Sequence, residues 1–344
     1  MGAPHAPHYD QYLRAKNSLE DSTMRLLKLI PDATNIHFLK WQWPTTIVST
    51  ILMILSWVLV ATQGLNLGVD FIGGQMIRVT FTQSAEAPVS QVRAEVEQLG
   101  YGEPIIQRFG NPNAISIRMK LPHGSDKDPG LADKMSRAIG SAVVAKHPGA
   151  RIDGVDSVSG KVSGELGWTA FQALGLASIA ISIYIWFRFE WQFGVGALLS
   201  LVHDVSLTVG MFAITQMEFD LTIVAAILTV IGYSLNDTIV VYDRIRENLK
   251  KFRRMPMAEL LDLSVNETLA RTIMTSLTIL ITLLALLLLG PKVIFGFSAA
   301  LILGIFVATY SSVYMAAPML IWLNVTAKSF VPTEGSSDTP AAKA

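Results

Sequence analysis

Apolar residues in this chain gather into six long runs, at roughly 45–63, 168–187, 193–215, 220–242, 272–290 and 295–323. A helix needs about 20 mostly apolar residues to cross about 30 Å of hydrocarbon, so each run is predicted to be a membrane span. The first begins only after 44 residues of mixed character, too long a lead for a signal peptide. It reads as an uncleaved first span behind a segment 1–44.

Between the first two runs, over 64–167, the pattern changes. "QMIRVTFT" (75–82) alternates apolar and polar positions, as a half-buried strand does. "PVSQVRAEVEQLG" (88–100) has helical spacing and stops on glycine. "IIQRF" (105–109) and "AISIRMK" (114–120) flank the turn "GNPN" and predict a hairpin. "PGLADKMSRAIGSAVVAKHPG" (129–149) reads as a helix and "ARIDGVDSVS" (150–159) as a last strand. The order β-α-β-β-α-β is ferredoxin-like. The expected architecture is an α-helical membrane protein with six transmembrane helices and a small α+β ferredoxin-like external domain between the first and second. Spans two to six occupy 168–325. The polar tail 326–344, with its Pro and Ser, is expected to be disordered.

The composition narrows the partners. Hydrophobic residues make up 51%, and 27 Lys and Arg balance 27 Asp and Glu, so no excess basic charge points to nucleic acid. The absence of cysteine removes disulfides and thiolate chemistry. Lys and Arg near span ends set orientation. Arg14, Lys16, Arg25, Lys28 and Lys40 precede span one, and Arg188 lies between spans two and three. Arg244, Arg246, Lys250, Lys251, Arg253, Arg254 and Arg271 lie between spans four and five. The alternate turns are poor in basic residues. Both termini are therefore expected in the cytoplasm and 64–167 outside.

Polar residues inside the spans are the candidate chemistry. "GYSLNDTIVVYDRIREN" (232–248) puts Asn236 and Asp237 within an apolar run, where a carboxylate costs roughly 2.5–3.5 kcal/mol on insertion scales. Thr229, Tyr233, Asn236 and Asp237 form a continuous polar side of span four. Asp204 sits mid-way along span three, beside His203. From these residues two roles stand open and equal for Asp237: a latch paired with Arg271 at the start of span five, or a proton relay. Gly296, Ala300, Gly304, Ala308 and Ser312 recur every four residues in span six, a small-residue stripe suited to close helix packing. Packing within the chain is preferred over a partner interface. In "GVDFIGG" (68–74), Asp70 reads as a cap and Gly73 and Gly74 as sites of unusual dihedrals. No GxxxxGK[ST] occurs and the external segment has no catalytic cluster. No enzyme activity, cofactor or metal is expected.

"GVDFIGG" after span one, "HDV" (203–205), the span-four motif and "NETLARTIMTS" (266–276) together resemble the SecF family, over about residues 35–325. Those proteins form a protein-export complex with SecD and are similar in topology to resistance–nodulation–division transporters. The resemblance implies a subunit of the bacterial inner membrane that uses the proton gradient to promote preprotein translocation. It carries proton movement over to Asp237 and Arg271. It implies a one-to-one complex with SecD, expected to bury the face with Tyr233 and Asp237. Further implied partners are the SecYEG translocon, YajC, unfolded preprotein outside and membrane lipid. A proton-coupled small-molecule exporter of the related class, and a purely structural channel-stabilising subunit, stand as alternatives.

Overall fold

The structure, a computed structural model, describes residues 34–120, 130–158 and 160–325. The tail 326–344 and residues 1–33 lie outside the described residues. Among the described residues, six helices are long and apolar enough to cross a membrane. They are α1 (Gln42–Gln63), α5 (Gly160–Arg188), α6 (Trp191–Thr215), α7 (Leu221–Lys251), α8 (Met257–Leu289), and a last span built from α9 (Phe295–Ser311), a π-turn (Ser312–Ala316) and α10 (Ala317–Trp322).

Two of these helices outrun the apolar pattern. The sequence places a loop over 243–271, yet only 252–256 leave helical structure. At 1.5 Å per residue, α7 and α8 are about 46 and 50 Å long, well beyond the hydrocarbon. Their ends form a helical hairpin held by polar bonds. Arg244 Nε donates to Glu267 at 2.7 Å, and Asn248 donates to Ser264 at 2.9 Å and Glu267 at 2.8 Å. Such a hairpin can be polar outside and still helical, because its apolar side (Ile245, Leu249, Leu260, Leu261) is buried. At the other side of the membrane, α5 starts at Gly160 instead of near 168, so part of the expected external segment is helix.

Between α1 and α5 lie α2 (Val69–Ile72), β1 (Gly74–Phe81), α3 (Val89–Glu97), β2 (Ile105–Phe109), β3 (Asn111–Met119), α4 (Leu131–Lys146) and β4 (Ala150–Val158). The sheet order is β2-β3-β1-β4, every pair antiparallel, as the ferredoxin-like order of elements demands. Ile77, Val79, Ile115 and Ile117 meet Val92, Val96, Met135, Ile139 and Val143 in one core. The hairpin is tighter than "GNPN" suggests. Phe109 pairs with Asn111, and the chain reverses at Gly110, φ 72°.

The domain is fastened to the bundle by the segment that enters it. Leu67 bridges Phe219 in the turn between α6 and α7, with Gly68 N donating to Phe219 O and Phe219 N to Asn66 O, both at 2.8 Å. Asp70 Oδ2 accepts from Leu221 N at 3.0 Å and Asp220 Oδ1 from Thr222 N at 2.9 Å. Asp70 therefore caps a helix 151 residues away in sequence, where a carboxylate also suits the helix dipole. Gly73 and Gly74 take φ 74° and 119°, and a Cβ on Gly74 would collide with the Met119 carbonyl.

Candidate functional site

The bundle core is largely apolar, and two buried carboxylates in it are bound by hydroxyls. Asp204 on α6 is 1% exposed. Its Oδ2 accepts from Ser234 on α7 at 2.5 Å and from Ser311 on α9 at 2.8 Å, and its Oδ1 lies 2.9 Å from His203 Nδ1. Ser200, one turn back on α6, donates to Ser311 at 2.9 Å. Asp204 thereby ties three spans together.

Asp237 on α7 is 5% exposed. Thr272 on α8 donates to its Oδ1 and Ser312, at the start of the π-turn, to its Oδ2, both at 2.7 Å. One turn toward the external domain, Tyr233 Oη lies 2.6 Å from Ser276, which also meets Thr309 at 2.9 Å. Ser311 and Ser312 are neighbours in sequence and point about 100° apart on a helix. One therefore serves Asp204 and the next serves Asp237. The π-turn follows at once and leads into Pro318, which has no N–H for a regular helical bond. Tyr242 donates to the Ala316 carbonyl at 3.1 Å there, and a Cβ on Gly196 would overlap that Tyr242 hydroxyl.

The ion pair with Arg271, one of the two roles open for Asp237, does not form among the described residues. Arg271 is exposed. The reason is helical phase: Thr272 faces into the bundle, so its neighbour Arg271 is turned outward. Asn236 is exposed for the same reason beside buried Asp237. The face expected to be covered by a partner is largely closed already within this chain. Asp237 is enclosed by this chain alone and Tyr233 is half-buried, whereas Ala225, Thr229, Gly232 and Asn236 form the exposed stripe of α7. On neighbouring α8, Arg271, Thr275, Thr278 and Thr282 are exposed. The small stripe of the last span lies against α7. Ala300 and Ala308 are fully buried, Gly296 approaches Ile223, and a Cβ on Gly304 would overlap Val230.

The hydroxyls that matter were not singled out from the sequence. Thr272, Ser276, Ser234, Ser311 and Thr309 look like ordinary membrane-helix residues, which commonly bond back to their own carbonyls. In the sequence Ser312 reads only as a small residue. Pro318, which marks a disturbed helix, is the signal the sequence offers. Asn266 carries no such signal. It grips the chain before α1, accepting from Ile36 N at 3.0 Å and donating to Ile36 O at 2.8 Å.

A second polar group sits where the domain meets the bundle. Arg118 on β3 donates to Leu67 O at 2.6 Å, Asn66 Oδ1 at 2.7 Å and Gln107 Oε1 at 2.9 Å. Its Nε stands 4.0 Å from Glu218 Oε1 in the α6–α7 turn. Burial raises the Glu218 carboxyl above its ordinary value, partly offset by the Arg118 guanidinium. Asn66, Arg78, Gln107, Arg118 and Glu218 line a cavity of about 190 Å³ between sheet and bundle.

Six candidate spans among the described residues, a ferredoxin-like domain clamped to the fourth, and carboxylates bound by hydroxyls in the bundle define a polytopic membrane protein with one folded domain beside the bundle. The description "Protein export membrane protein SecD/SecF, C-terminal" matches residues 139–326, and the SecD/SecF GG motif matches 58–85. The chain is 44% identical to the protein translocase subunit SecF of Rhodobacter capsulatus, over 87% of this chain and 92% of that one. Against the SecF of Pseudomonas aeruginosa the identity is 40%, over 84% and 90%. The crystal structure of SecDF, a translocon-associated membrane protein from Thermus thermophilus, superposes with a TM-score of 0.78 at 31% identity. It covers 92% of this chain but only 42% of that longer one. A SecDF structure described as a super-membrane-facing form gives a TM-score of 0.58. The chain belongs to the SecF family of protein-export membrane proteins.

Proposed function

We propose that the chain works in the bacterial inner membrane, with a SecD partner, as the subunit through which the proton gradient promotes preprotein export. Both termini face the cytoplasm in this reading, and Asp237 carries the proton. The observation that supports it most is the company Asp237 keeps. Among the described residues its partners are two neutral hydroxyls and no cation. The ion-pair latch with Arg271 needs that cation as its counter-charge, whereas hydroxyls both donate and accept and so suit either protonation state.

The stripe Ala225, Thr229, Gly232, Asn236 and the exposed Arg271 of α8 then belong against a second bundle. Small and polar residues at hydrocarbon depth favour helix contacts over lipid. The SecDF chain is more than twice this length by its 42% coverage, which leaves room for such a bundle. That SecDF is a translocon-associated membrane protein supports the SecYEG channel as the wider partner. The subunit performs no covalent chemistry in this reading, and the preprotein meets the external domain.

Co-reconstitution with SecD and the SecYEG translocon tests it. Asp237→Asn keeps the shape and loses the exchangeable proton. Expected are normal assembly, loss of gradient-stimulated export and loss of proton flux. Full gradient-stimulated export by the variant would refute the relay.

A further inference from the structure

The two oxygens of Asp237 are not equivalent. Oδ1 receives the Thr272 hydroxyl, which has no second acceptor among the described residues. Oδ2 receives the Ser312 hydroxyl, and Ser312 Oγ also lies 3.0 Å from the Thr309 carbonyl, three residues back on its own helix. The one hydrogen of Ser312 therefore has two places to go. We infer that Ser312 is a reversing hydroxyl that holds Asp237 in both of its protonation states, with the proton carried on Oδ2. The inference rests on the relay reading above.

With Asp237 ionised, Ser312 donates to Oδ2. With a proton on Oδ2, that O–H donates to Ser312 Oγ, and the serine turns its own hydrogen onto Thr309 O. Such back-bonding to a carbonyl one turn earlier is an ordinary state for a helical serine. The serine hydrogen never leaves its oxygen, so Ser312 is a positioning residue and not a carrier. No heavy atom has to move. Without this reversal, one state would leave a buried donor or acceptor unpaired, which costs about 1–3 kcal/mol. Among the described residues, Asp204 on α6 is the other carboxylate acting on Asp237, and the Tyr233 hydroxyl is engaged with Ser276.

Asp204 is built differently, which argues that the arrangement at Asp237 is particular. Ser311 also has a carbonyl within reach, Ala308 O at 3.2 Å. But Ser311 already accepts from Ser200, while Ser234 and His203 converge on the same carboxylate. No single hydroxyl has sole charge of Asp204 Oδ2, whereas Ser312 alone serves Asp237 Oδ2.

Infrared difference spectra between acid and alkaline pH, taken on the reconstituted complex with SecD, test the inference. The band of the protonated Asp237 carboxyl is the one that Asp237→Asn abolishes. In Ser312→Ala the Oδ2–H has no acceptor, so the band is expected at higher wavenumber, with gradient-driven export lost. Ser312→Thr keeps the hydroxyl and is expected to leave the band in place. An unshifted band in Ser312→Ala, or equal shifts in both variants, would overturn the inference. If no band responds to Asp237→Asn at all, the relay reading itself fails, and this outcome is separate from the other two.

Discussion

The Thr272 hydroxyl donates to Asp237 Oδ1 at 2.7 Å, joining α8 to α7 inside the bundle. Thr272 is 3% exposed, so no water replaces it if the hydroxyl is removed. Thr272→Val, nearly the same shape, should destabilise the protein by about 1–3 kcal/mol, the usual penalty for a buried polar group left without its partner. Thr272→Ser should restore most of it. Thermal unfolding in detergent, with gradient-driven export alongside, measures both.

Arg271 stands next to Thr272 in sequence but outside the bundle. Arg271→Ala should therefore leave the isolated subunit within about 0.5 kcal/mol of wild type, as exposed substitutions usually do. Export by the complex with SecD should fall. A double-mutant cycle with Asp237→Asn on the isolated subunit should be additive, since the two side chains share no partner. A coupling above about 0.5 kcal/mol in the isolated subunit would place them in contact.

Two glycines separate packing inside the chain from docking outside it. A Cβ on Gly304 would overlap both Cγ atoms of Val230, whereas nothing lies within 4 Å of a Cβ on Gly232. Gly304→Ala should cost about 1–3 kcal/mol through overpacking. Gly232→Leu should leave subunit stability unchanged and weaken co-purification with SecD. Unimpaired co-purification would remove α7's exposed stripe from the partner interface.

Glu218 gives the domain junction a pH dependence. Its carboxyl is raised above 4.5, first by burial, with Arg118 and Arg78 pulling it down and Asp220 and Asp156 pushing it up. The folded state then binds more proton than the unfolded state, so stability falls as pH rises from about 4.5 through the folded value. The contribution is present in full below 4.5. Glu218→Gln should flatten the dependence of the unfolding midpoint on pH over this window. A midpoint that varies identically in both proteins would remove Glu218 as its source.

Much of the architecture was legible in the sequence because two periodicities report burial directly. Runs of about 20 apolar residues mean spans, and alternation with turn residues gave the external sheet in its order. Asp237 and Asp204 stood out because a carboxylate in an apolar run is costly and rare. The helical extensions of α7 and α8 were missed. They lie beyond the hydrocarbon, where helices need no continuous apolar run.

The partners of the two carboxylates could not be read the same way. Ser and Thr are cheap in membrane helices, since each can satisfy itself on its own carbonyl, as Thr229 does on Ala225 and Thr278 on Met274. Nothing in a single sequence says which hydroxyl bonds across. Only the tertiary structure decided that, by bringing α8 and the π-turn against α7. A rotation of one residue, 100° on a helix, faces Thr272 inward and Arg271 outward. The sequence by itself determined that Asp237 lies within a long apolar span. That hydroxyls and not an arginine hold it there was decided by helix phase and packing.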